Sequence, residues 1–228
     1  MLQNVLDFLF TKEVYSEVET YYTPTATANV LLFVLIAALL IAMAVFSGFK
    51  RKIQVKQLTF SAMAVTLAVV TSLIKFAHLP FGGSITLFSM FFICLIGYMY
   101  GLRVGVLTGI AYGFLQLIID PVIMHPVQVL LDYPIAFGFL GMTGVFSKAK
   151  NGLLKGYILG VFGRYICHVL SGIIFFAMYT PEGVNPIVYA LGYNATYILP
   201  EAIATVALLL VPVIQKGLLE VRRMALQN

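Results

Sequence analysis

Three hydrophobic stretches of this chain carry polar and ionisable side chains that a lipid-facing helix could not tolerate. Charged groups at membrane depth are costly, and they usually face the interior of a helix bundle, where they mark a binding site or a pathway. The chemistry that these groups offer is therefore the binding of a polar or charged ligand. In chain order the three groups are His125, Gln128, Asp132 and Tyr133, then Arg164, Tyr165 and His168, then Tyr189, Tyr193, Asn194, Tyr197 and Glu201.

The first group has the spacing of one helix face. His125, Gln128 and Asp132 are separated by three, four and seven residues, so they line up along one side of a helix. A carboxylate on that face can attract a cation or accept hydrogen bonds from an amine. A second interpretation stays open, in which Asp132 pairs with Arg164 and only locks the bundle, because buried charges usually have partners.

The second group shares a helix face in the same way. Arg164 and His168 lie four residues apart, and we interpret Arg164 as a structural counter-ion and His168 as a site residue. The alternative is a hydrogen-bonded histidine with a purely structural role, which is common in protein cores.

The third group combines aromatic rings with an amide and a carboxylate. Tyr189, Tyr193, Tyr197 and Glu201 recur every four residues, with Asn194 beside them. One interpretation is an aromatic belt at the membrane interface. The amide of Asn194 needs hydrogen-bonding partners and argues against a pure belt. Aromatic faces with a carboxylate suit a flat organic cation, through stacking and cation–π attraction.

The composition is that of an all-α membrane protein. The chain is 61% hydrophobic and 10% charged, whereas a soluble domain is nearer one half and one quarter. Apolar runs of roughly 20 residues, long enough to cross a bilayer, recur along its length. The net charge of +5 falls in short loops, so it does not indicate nucleic-acid binding. Cys94 and Cys167 lie in apolar runs and are interpreted as buried hydrophobes, and no metal or cofactor is expected.

Seven transmembrane helices are predicted to position these groups. The first has no ionisable residue and belongs to an N-terminal part, residues 1–57, as an extra helix outside the bundle. The other six form a six-helix transmembrane bundle within residues 58–228. The predicted helices are 28–48, 58–77, 85–100, 102–119, 126–147, 154–179 and 187–214.

Lysine and arginine residues in the loops predict the orientation. Eleven of them fall on one side of the predicted spans and two, Lys12 and Lys75, on the other. Because basic loops stay in the cytoplasm, we expect a multi-pass cell-membrane protein with its N-terminus outside and its C-terminus in the cytoplasm. The loops near residues 78–84, 120–125 and 180–186 then face outward, and so does the mouth of any site.

In these segments the chain resembles the thiamine-specific S-components of energy-coupling factor (ECF) vitamin transporters. The resemblance runs from about residue 58 to residue 214. It is carried by four segments in the same order: Leu79-Pro80-Phe81-Gly82-Gly83-Ser84, His125 to Tyr133, Arg164 to His168 with Ser171-Gly172, and Tyr189 to Tyr197. The resemblance implies a substrate-binding subunit that associates with a transmembrane coupling protein and two cytoplasmic ATPases.

The resemblance also implies roles for individual residues. It assigns ligand contacts to Asp132, Tyr133, His168, Asn194 and Tyr189. Family members stack tryptophans on the ligand, but this chain has no tryptophan, and two other aromatic residues occupy the matching places. The resemblance also implies that a small-residue motif on the first core helix docks on the coupling protein. These positions are Phe176 and Tyr112 for the rings, and Ala64 and Ala68 for the motif.

We therefore expect a thiamine-binding subunit whose ligand residues include Gln128 from the first stripe. Thiamine is a planar cation with an aminopyrimidine, which suits a carboxylate, an amide and aromatic rings. The chain has no Walker-type loop and no catalytic constellation, so it is not expected to be an enzyme, and ATP hydrolysis would fall to partners. The alternative is a stand-alone, proton-coupled secondary transporter in which Asp132, Arg164 and Glu201 relay protons.

Overall fold

The structure is a computed structural model that describes residues 10–14, 20–27, 30, 34 and 53–227. It is mostly helical. The predicted extra helix at residues 28–48 lies outside the described residues except at two positions, so that prediction stays a prediction.

The described part contains seven main helices, and the first six form a bundle. Their order follows the predicted order closely from residue 55 onward. The helices are α1 (Val55–Ser72), α2 (Ser89–Tyr100), α3 (Leu102–Ile119), α4 (Pro126–Phe146), α5 (Gly152–Phe175), α6 (Pro186–Leu209) and α7 (Pro212–Leu226).

Helix starts are set by local capping. Asn185 precedes α6 and accepts a hydrogen bond from the Ile187 N–H at 2.9 Å. His125 does the same for α4, where its Nδ1 accepts from the Val127 N–H at 3.2 Å. Both helices have proline at the first helical position, where its missing N–H costs nothing.

Helix α4 is irregular where it carries the first polar group. Its first turn is α-helical, residues Leu131–Ile135 form a π-helical turn, and Gly141–Phe146 ends the helix as a 3-10 segment. Pro134 lies inside the π turn. Proline removes a helical hydrogen bond and clashes with the preceding turn, and a widened turn accommodates both effects. Asp132 and Tyr133 lie in this turn and are buried.

Glycines let α3 and α4 approach at backbone distance. A Cβ on Gly109 would lie 2.3 Å from the Phe137 carbonyl oxygen, and one on Gly113 would lie 2.5 Å from that of Tyr133. Small residues at four-residue spacing are a recurrent way to pack membrane helices. This close approach brings the ring of Tyr112 to 5.0 Å from that of Phe137, edge to face.

Two short hairpins interrupt the helical pattern. Strands β1 (Phe10–Val14) and β2 (Thr20–Pro24) pair antiparallel, as do β3 (Lys75–His78) and β4 (Ser84–Thr86). The predicted helices 58–77 and 85–100 therefore extend into the hairpin, since α1 ends at Ser72 and α2 begins at Ser89. β2 packs against Ala177–Tyr179, the short 3-10 turn that follows α5.

Four of the described helices, α1, α3, α4 and α5, are each long and apolar enough to cross a membrane. Helices α6 and α7 would give a fifth span only as a pair, and they meet at 86°. Helix α2 has 12 residues, about 18 Å of helix, which is shorter than a bilayer core. The chain is thus a multi-pass membrane protein, but the predicted count of six spans plus one is not confirmed.

The predicted helix 187–214 is wrong at its end. Helix α6 stops at Leu209, and Pro212 opens the separate helix α7. Arg222 fastens α7 to the bundle: it donates to the Tyr98 hydroxyl at 2.8 Å and to the Ser147 carbonyl at 2.6 Å. Helix α7 carries four charged residues, so its own sequence does not indicate a membrane-spanning helix. These residues are Lys216, Glu220, Arg222 and Arg223.

The structure places Ala64 and Ala68, the predicted docking residues, in the core and not on an exposed face. Their exposed fractions are 6% and 0%, and both belong to the core. Helix α1 turns these alanines toward the bundle, where the Tyr112 hydroxyl donates to the Ala68 carbonyl at 3.2 Å. The small residues on the exposed side of α1 are Thr59, Ala62 and Thr66.

Candidate ligand-binding site

One cavity, near one end of the bundle, is lined by helices α1 to α6 and the β3–β4 hairpin. The structure brings all eight residues predicted to hold a ligand to its wall. That they bind a ligand is still a prediction. These residues are Tyr112, Gln128, Asp132, Tyr133, His168, Phe176, Tyr189 and Asn194.

Asp132 places a buried carboxylate at this cavity. Its Oδ2 accepts two hydrogen bonds at 2.7 Å, from Gln128 Nε2 and from the Ser171 hydroxyl. Its Oδ1 is buried and receives no hydrogen bond from the described residues; His168 Nδ1 lies 3.2 Å away without good hydrogen-bond direction. One oxygen is fixed by the protein, and the other retains accepting capacity.

Arg164 acts on Asp132 through His168 rather than directly. Arg164 Nε donates to His168 Nε2 at 3.2 Å, so that nitrogen carries no proton and the neutral ring holds its proton on Nδ1, facing Asp132. Among the described ion pairs there is none between Arg164 and Asp132. A direct Arg164–Asp132 ion pair, the second interpretation of the sequence, is therefore not found there, and His168 lies between the two side chains instead. The guanidinium also lies 4.2 Å from the centre of the Phe137 ring, a cation–π contact.

Asn194 is held by the protein on both sides of its amide. Its Nδ2 donates to the Ala190 carbonyl at 2.8 Å and to the His168 carbonyl at 3.3 Å. Its Oδ1 accepts from the Tyr197 hydroxyl at 2.6 Å. The amide therefore has a fixed orientation, and its oxygen has room for one further donor.

Glu201 lines the same cavity, and both of its oxygens accept hydrogen bonds from the protein. Its Oε2 accepts from the Thr86 hydroxyl at 2.6 Å, and its Oε1 accepts from the Met90 N–H at 3.0 Å and the Ser89 hydroxyl at 3.4 Å. Ser89 and Met90 are the first residues of α2. A carboxylate is stabilised at a helix N-terminus by the free N–H groups and the helix dipole, so Glu201 caps α2 from α6.

Tyrosine rings of α6 form one wall. The rings of Tyr189 and Tyr193 are stacked at 6.1 Å with 30° between their planes, and Tyr193 meets Tyr197 edge to face at 5.8 Å. All three line the cavity, as does Phe176 at the end of α5. The rings therefore face the interior, which agrees with a binding wall and not with a simple interfacial belt.

The β3–β4 hairpin and the segment between α3 and α4 cover one end of the cavity. We call residues 75–86 and residues 120–122 the roof. Lys75 and Asp120 join them through an ion pair at 2.5 Å with side chains 31% and 38% exposed, whereas the His168 and Asp132 side chains are 14% and 11% exposed. Gly82 has φ +93°, and a Cβ there would lie 2.5 Å from Val122 Cγ2, so only glycine fits this contact.

Two of the predicted ligand residues serve mainly to hold the walls and the roof. The Tyr133 hydroxyl donates to the Asp120 carbonyl at 2.9 Å and accepts from the Val122 N–H at 2.8 Å. Gln128 donates to Asp132 and to the Val122 carbonyl, and accepts from the Met124 N–H at 3.0 Å. Gln128 is fully buried, so its contribution is to orient Asp132.

Sequence reasoning missed two residues that line the cavity and placed one residue there that does not. Ser171 was noted only as a small residue, yet it donates to Asp132. Gln116 was not singled out, although an amide in an apolar span was a usable signal; it donates to Tyr112 and Ser72. His125 shares the predicted stripe but does not line the cavity, since it caps α4 and stacks on Phe175 at 5.2 Å.

The charges around the cavity suit a monocation. Its lining holds three carboxylates, Asp120, Asp132 and Glu201, and two basic side chains, Lys75 and Arg164, which leaves one net negative formal charge. Among the described residues no group of three or more metal-binding side chains occurs. The arrangement can hold a flat cation between rings and offer it a carboxylate oxygen.

Comparison with known proteins gives one family match and several relatives. The family described as "Thiamine transporter protein" matches residues 58–220. The "Thiamine transporter ThiT" of Bacillus subtilis (strain 168) is 38% identical over 157 residues, which are 63% of this chain and 80% of that protein. The protein of the same name from Lacticaseibacillus paracasei is 32% identical over 123 residues, 46% of this chain and 61% of that protein.

A solved structure has the same fold. The structure described as ThiT from Listeria monocytogenes superimposes with a TM-score of 0.56 at 23% identity. It covers 67% of this chain and 92% of that one.

Proposed function

The chain belongs to the thiamine transporter protein family, and from that membership we propose that it binds thiamine under the roof and delivers it inward as the substrate-specific subunit of an ATP-driven ECF transporter. The family is one of transporters, not of enzymes. The positive-inside distribution of lysine and arginine supports an N-terminus outside and a roof that faces the exterior.

The Oδ1 atom of Asp132 carries the proposal: it accepts no hydrogen bond from the described residues, and the nearby His168 Nδ1, 3.2 Å away, is poorly directed. A buried acceptor without a donor costs free energy, and a ligand with an N–H group removes that cost. The aminopyrimidine of thiamine supplies such a group. The cation then neutralises the net negative charge of the lining, while His168 and Asn194 are already oriented by Arg164 and Tyr197.

The aromatic wall supports the same ligand. Tyr189, Tyr197 and Phe176 present ring surface to the cavity, and stacking or cation–π contact with a flat cation is worth about 1 kcal/mol or more for each well-placed ring. A small neutral sugar or amino acid would gain less from such a wall.

Thiamine binding by the purified chain tests this function. We expect a Kd below about 1 μM, which corresponds to roughly 8 kcal/mol, in detergent and without ATP or partners. Titrations with thiamine phosphates and with the isolated pyrimidine, followed by calorimetry, define which part of the ligand is held. Absence of thiamine binding at saturating concentrations would refute the proposal.

ATP-driven delivery requires partners, because the sequence has no ATP-binding loop. We assign docking on the coupling protein to the exposed face of α1 around Thr59, Ala62 and Thr66, since small side chains allow close helix contact. Ala62→Leu is expected to abolish ATP-driven uptake by the assembled transporter but to leave thiamine binding intact. Ala204→Leu, an equal enlargement on the exposed side of α6, is the matched control.

The chain of Arg164, His168 and Asp132 favours one alternative, a stand-alone proton-coupled transporter. Linked ionisable groups in a membrane bundle are a feature of proton pathways. Proteoliposomes with this chain alone and an imposed proton gradient separate the two functions. Thiamine accumulation under these conditions would favour the alternative, and accumulation only with partners and ATP would favour the first proposal.

A further inference from the structure

One side chain belongs both to the aromatic wall and to the fastening of the roof. The ring of Tyr193 lies between those of Tyr189 and Tyr197 and lines the cavity. Its hydroxyl donates to the Pro80 carbonyl and accepts from the Gly83 N–H at 3.3 Å. A ligand that packs on the wall therefore packs on the residue that holds the turn above it.

The turn at residues 80–83 fits closely on this tyrosine. A Cβ on Gly83 would lie 2.9 Å from the Tyr193 hydroxyl and 2.8 Å from Tyr197 Cδ1. The backbone of the turn is thus in direct contact with the wall, without an intervening side chain. Two hydrogen bonds from one hydroxyl fix both ends of the turn.

The other fastenings of the roof differ in strength. The Lys75–Asp120 ion pair joins the two loops, but both side chains are about one third exposed, and exposed ion pairs contribute little because water and salt screen them. Tyr133 holds residues 120–122 through two backbone hydrogen bonds and does not bond to residues 80–83. Tyr193 is therefore the main polar anchor of this turn among the described contacts.

We propose that Tyr193 is a positioning residue whose hydroxyl latches residues 80–83 closed over the bound ligand and so sets the rate of ligand release. The latch rests on the proposed function, because it acts on a ligand in this cavity. The ring keeps its place in the wall, while the hydroxyl controls opening. Loss of the hydroxyl alone is then expected to speed dissociation more than it alters association.

Tyr193→Phe in the full chain tests the latch. We expect the thiamine dissociation rate, measured by stopped-flow chase with excess unlabelled ligand, to rise roughly tenfold, because two hydrogen bonds that hold the closed state are lost. Hydrogen exchange of the backbone amides in residues 79–86 should become faster in the same variant. The exchange rates of these amides can be measured both with and without bound ligand.

Tyr165→Phe is the matched control. Tyr165 also donates its hydroxyl to a backbone carbonyl of α6, that of Leu191 at 3.0 Å, but it does not line the cavity. The control should keep the wild-type dissociation rate and the wild-type exchange in residues 79–86. An equal change in both variants would overturn the latch, since any lost tyrosine hydroxyl would then suffice.

The two proposals fail in different ways. If wild-type protein does not bind thiamine, the proposed function is wrong, and with it the latch as stated. If wild-type protein binds thiamine but Tyr193→Phe leaves dissociation and exchange unchanged, the function stands and the latch is wrong. Faster dissociation together with faster exchange in residues 79–86 supports both.

Discussion

Two buried carboxylates line one cavity and differ in the hydrogen bonds that they accept from the protein. Glu201, on α6, receives hydrogen bonds on both oxygens, from Thr86 at the end of β4 and from Met90 in the first turn of α2. Asp132, on α4, receives them on Oδ2 alone, and Oδ1 has only the poorly directed His168 Nδ1 near it, at 3.2 Å. Residue type, burial and location are nearly the same, so only the hydrogen-bonding partners separate a structural carboxylate from one available to a ligand.

The difference has an energetic meaning. A saturated buried carboxylate stabilises the fold and has little left to offer a ligand. An acceptor left without a partner costs about 1–3 kcal/mol in the empty protein, and the bound state regains that free energy. We therefore expect the Asp132 side of the cavity to contribute affinity and the Glu201 side to hold the geometry of α2, β4 and α6.

Removal of the charge on Asp132 should have the largest effect on binding. Asp132→Asn keeps the shape of the side chain but loses a charge-assisted contact with the cation, worth about 3 kcal/mol, so Kd for thiamine should rise roughly 100-fold. Calorimetric titration measures the change. The melting temperature should stay near that of the wild type. Unchanged affinity would show that Asp132 has no part in binding and would break the comparison.

The same change at Glu201 should act on stability instead. Glu201→Gln weakens the cap of α2, and we expect a loss of about 2 kcal/mol, or roughly 5 °C in melting temperature. Thermal unfolding in detergent, followed by far-UV circular dichroism, measures the change in melting temperature. Thiamine affinity should change less than for Asp132→Asn. A larger loss of affinity at Glu201 than at Asp132 would reverse the two assignments.

Single hydroxyl donors to each carboxylate sharpen the comparison. Ser171→Ala removes one of the two hydrogen bonds that orient Asp132, and we expect a weaker Kd by about tenfold, equivalent to roughly 1.4 kcal/mol. The measurement is the same titration. A fall in melting temperature with wild-type affinity would mean that Ser171 supports the fold and not the ligand.

The partner substitution on the other side should have the smallest effect. Thr86→Val removes the hydroxyl that donates to Glu201 Oε2 and keeps the branched shape, so about 1 kcal/mol of stability should be lost. Thiamine affinity should stay within about twofold of the wild type, since hydrogen bonds from Met90 and Ser89 still hold Glu201. A binding loss as large as that of Ser171→Ala would contradict the division between the two carboxylates.

Much of the fold follows from apolar runs and local caps. Prolines and capping residues at 125–126 and 185–186 fix two helix starts within a residue or so of those predicted. The predicted ends failed where local signals were weak: Lys75–His78 continues an apolar run but pairs with β4, and the predicted helix 187–214 ran past the end of α6 at Leu209 into the separate helix α7. Strand pairing and helix bending depend on partners that a local pattern does not contain.

The site residues and the alanines of α1 show the same limit at the level of single side chains. Helical spacing grouped Gln128 with Asp132 and Tyr189 with Tyr193 correctly, because spacing fixes which residues share a face. It could not say which face of α1 turns inward, and Ala64 and Ala68 were placed on the wrong side. That rotation is set by packing against α2 and Tyr112.

Hydrophobicity and helical period, which are local properties of the chain, were enough to predict the membrane class, the order of the helices and most of the polar groups inside the bundle, although His125 is exposed. Only the tertiary structure decided which carboxylate keeps a free oxygen and which tyrosine holds the roof. Those outcomes rest on contacts such as Met90 to Glu201 and Gly83 to Tyr193, which join residues 111 and 110 positions apart. Hydrogen bonds across such separations exist only after the helices have packed.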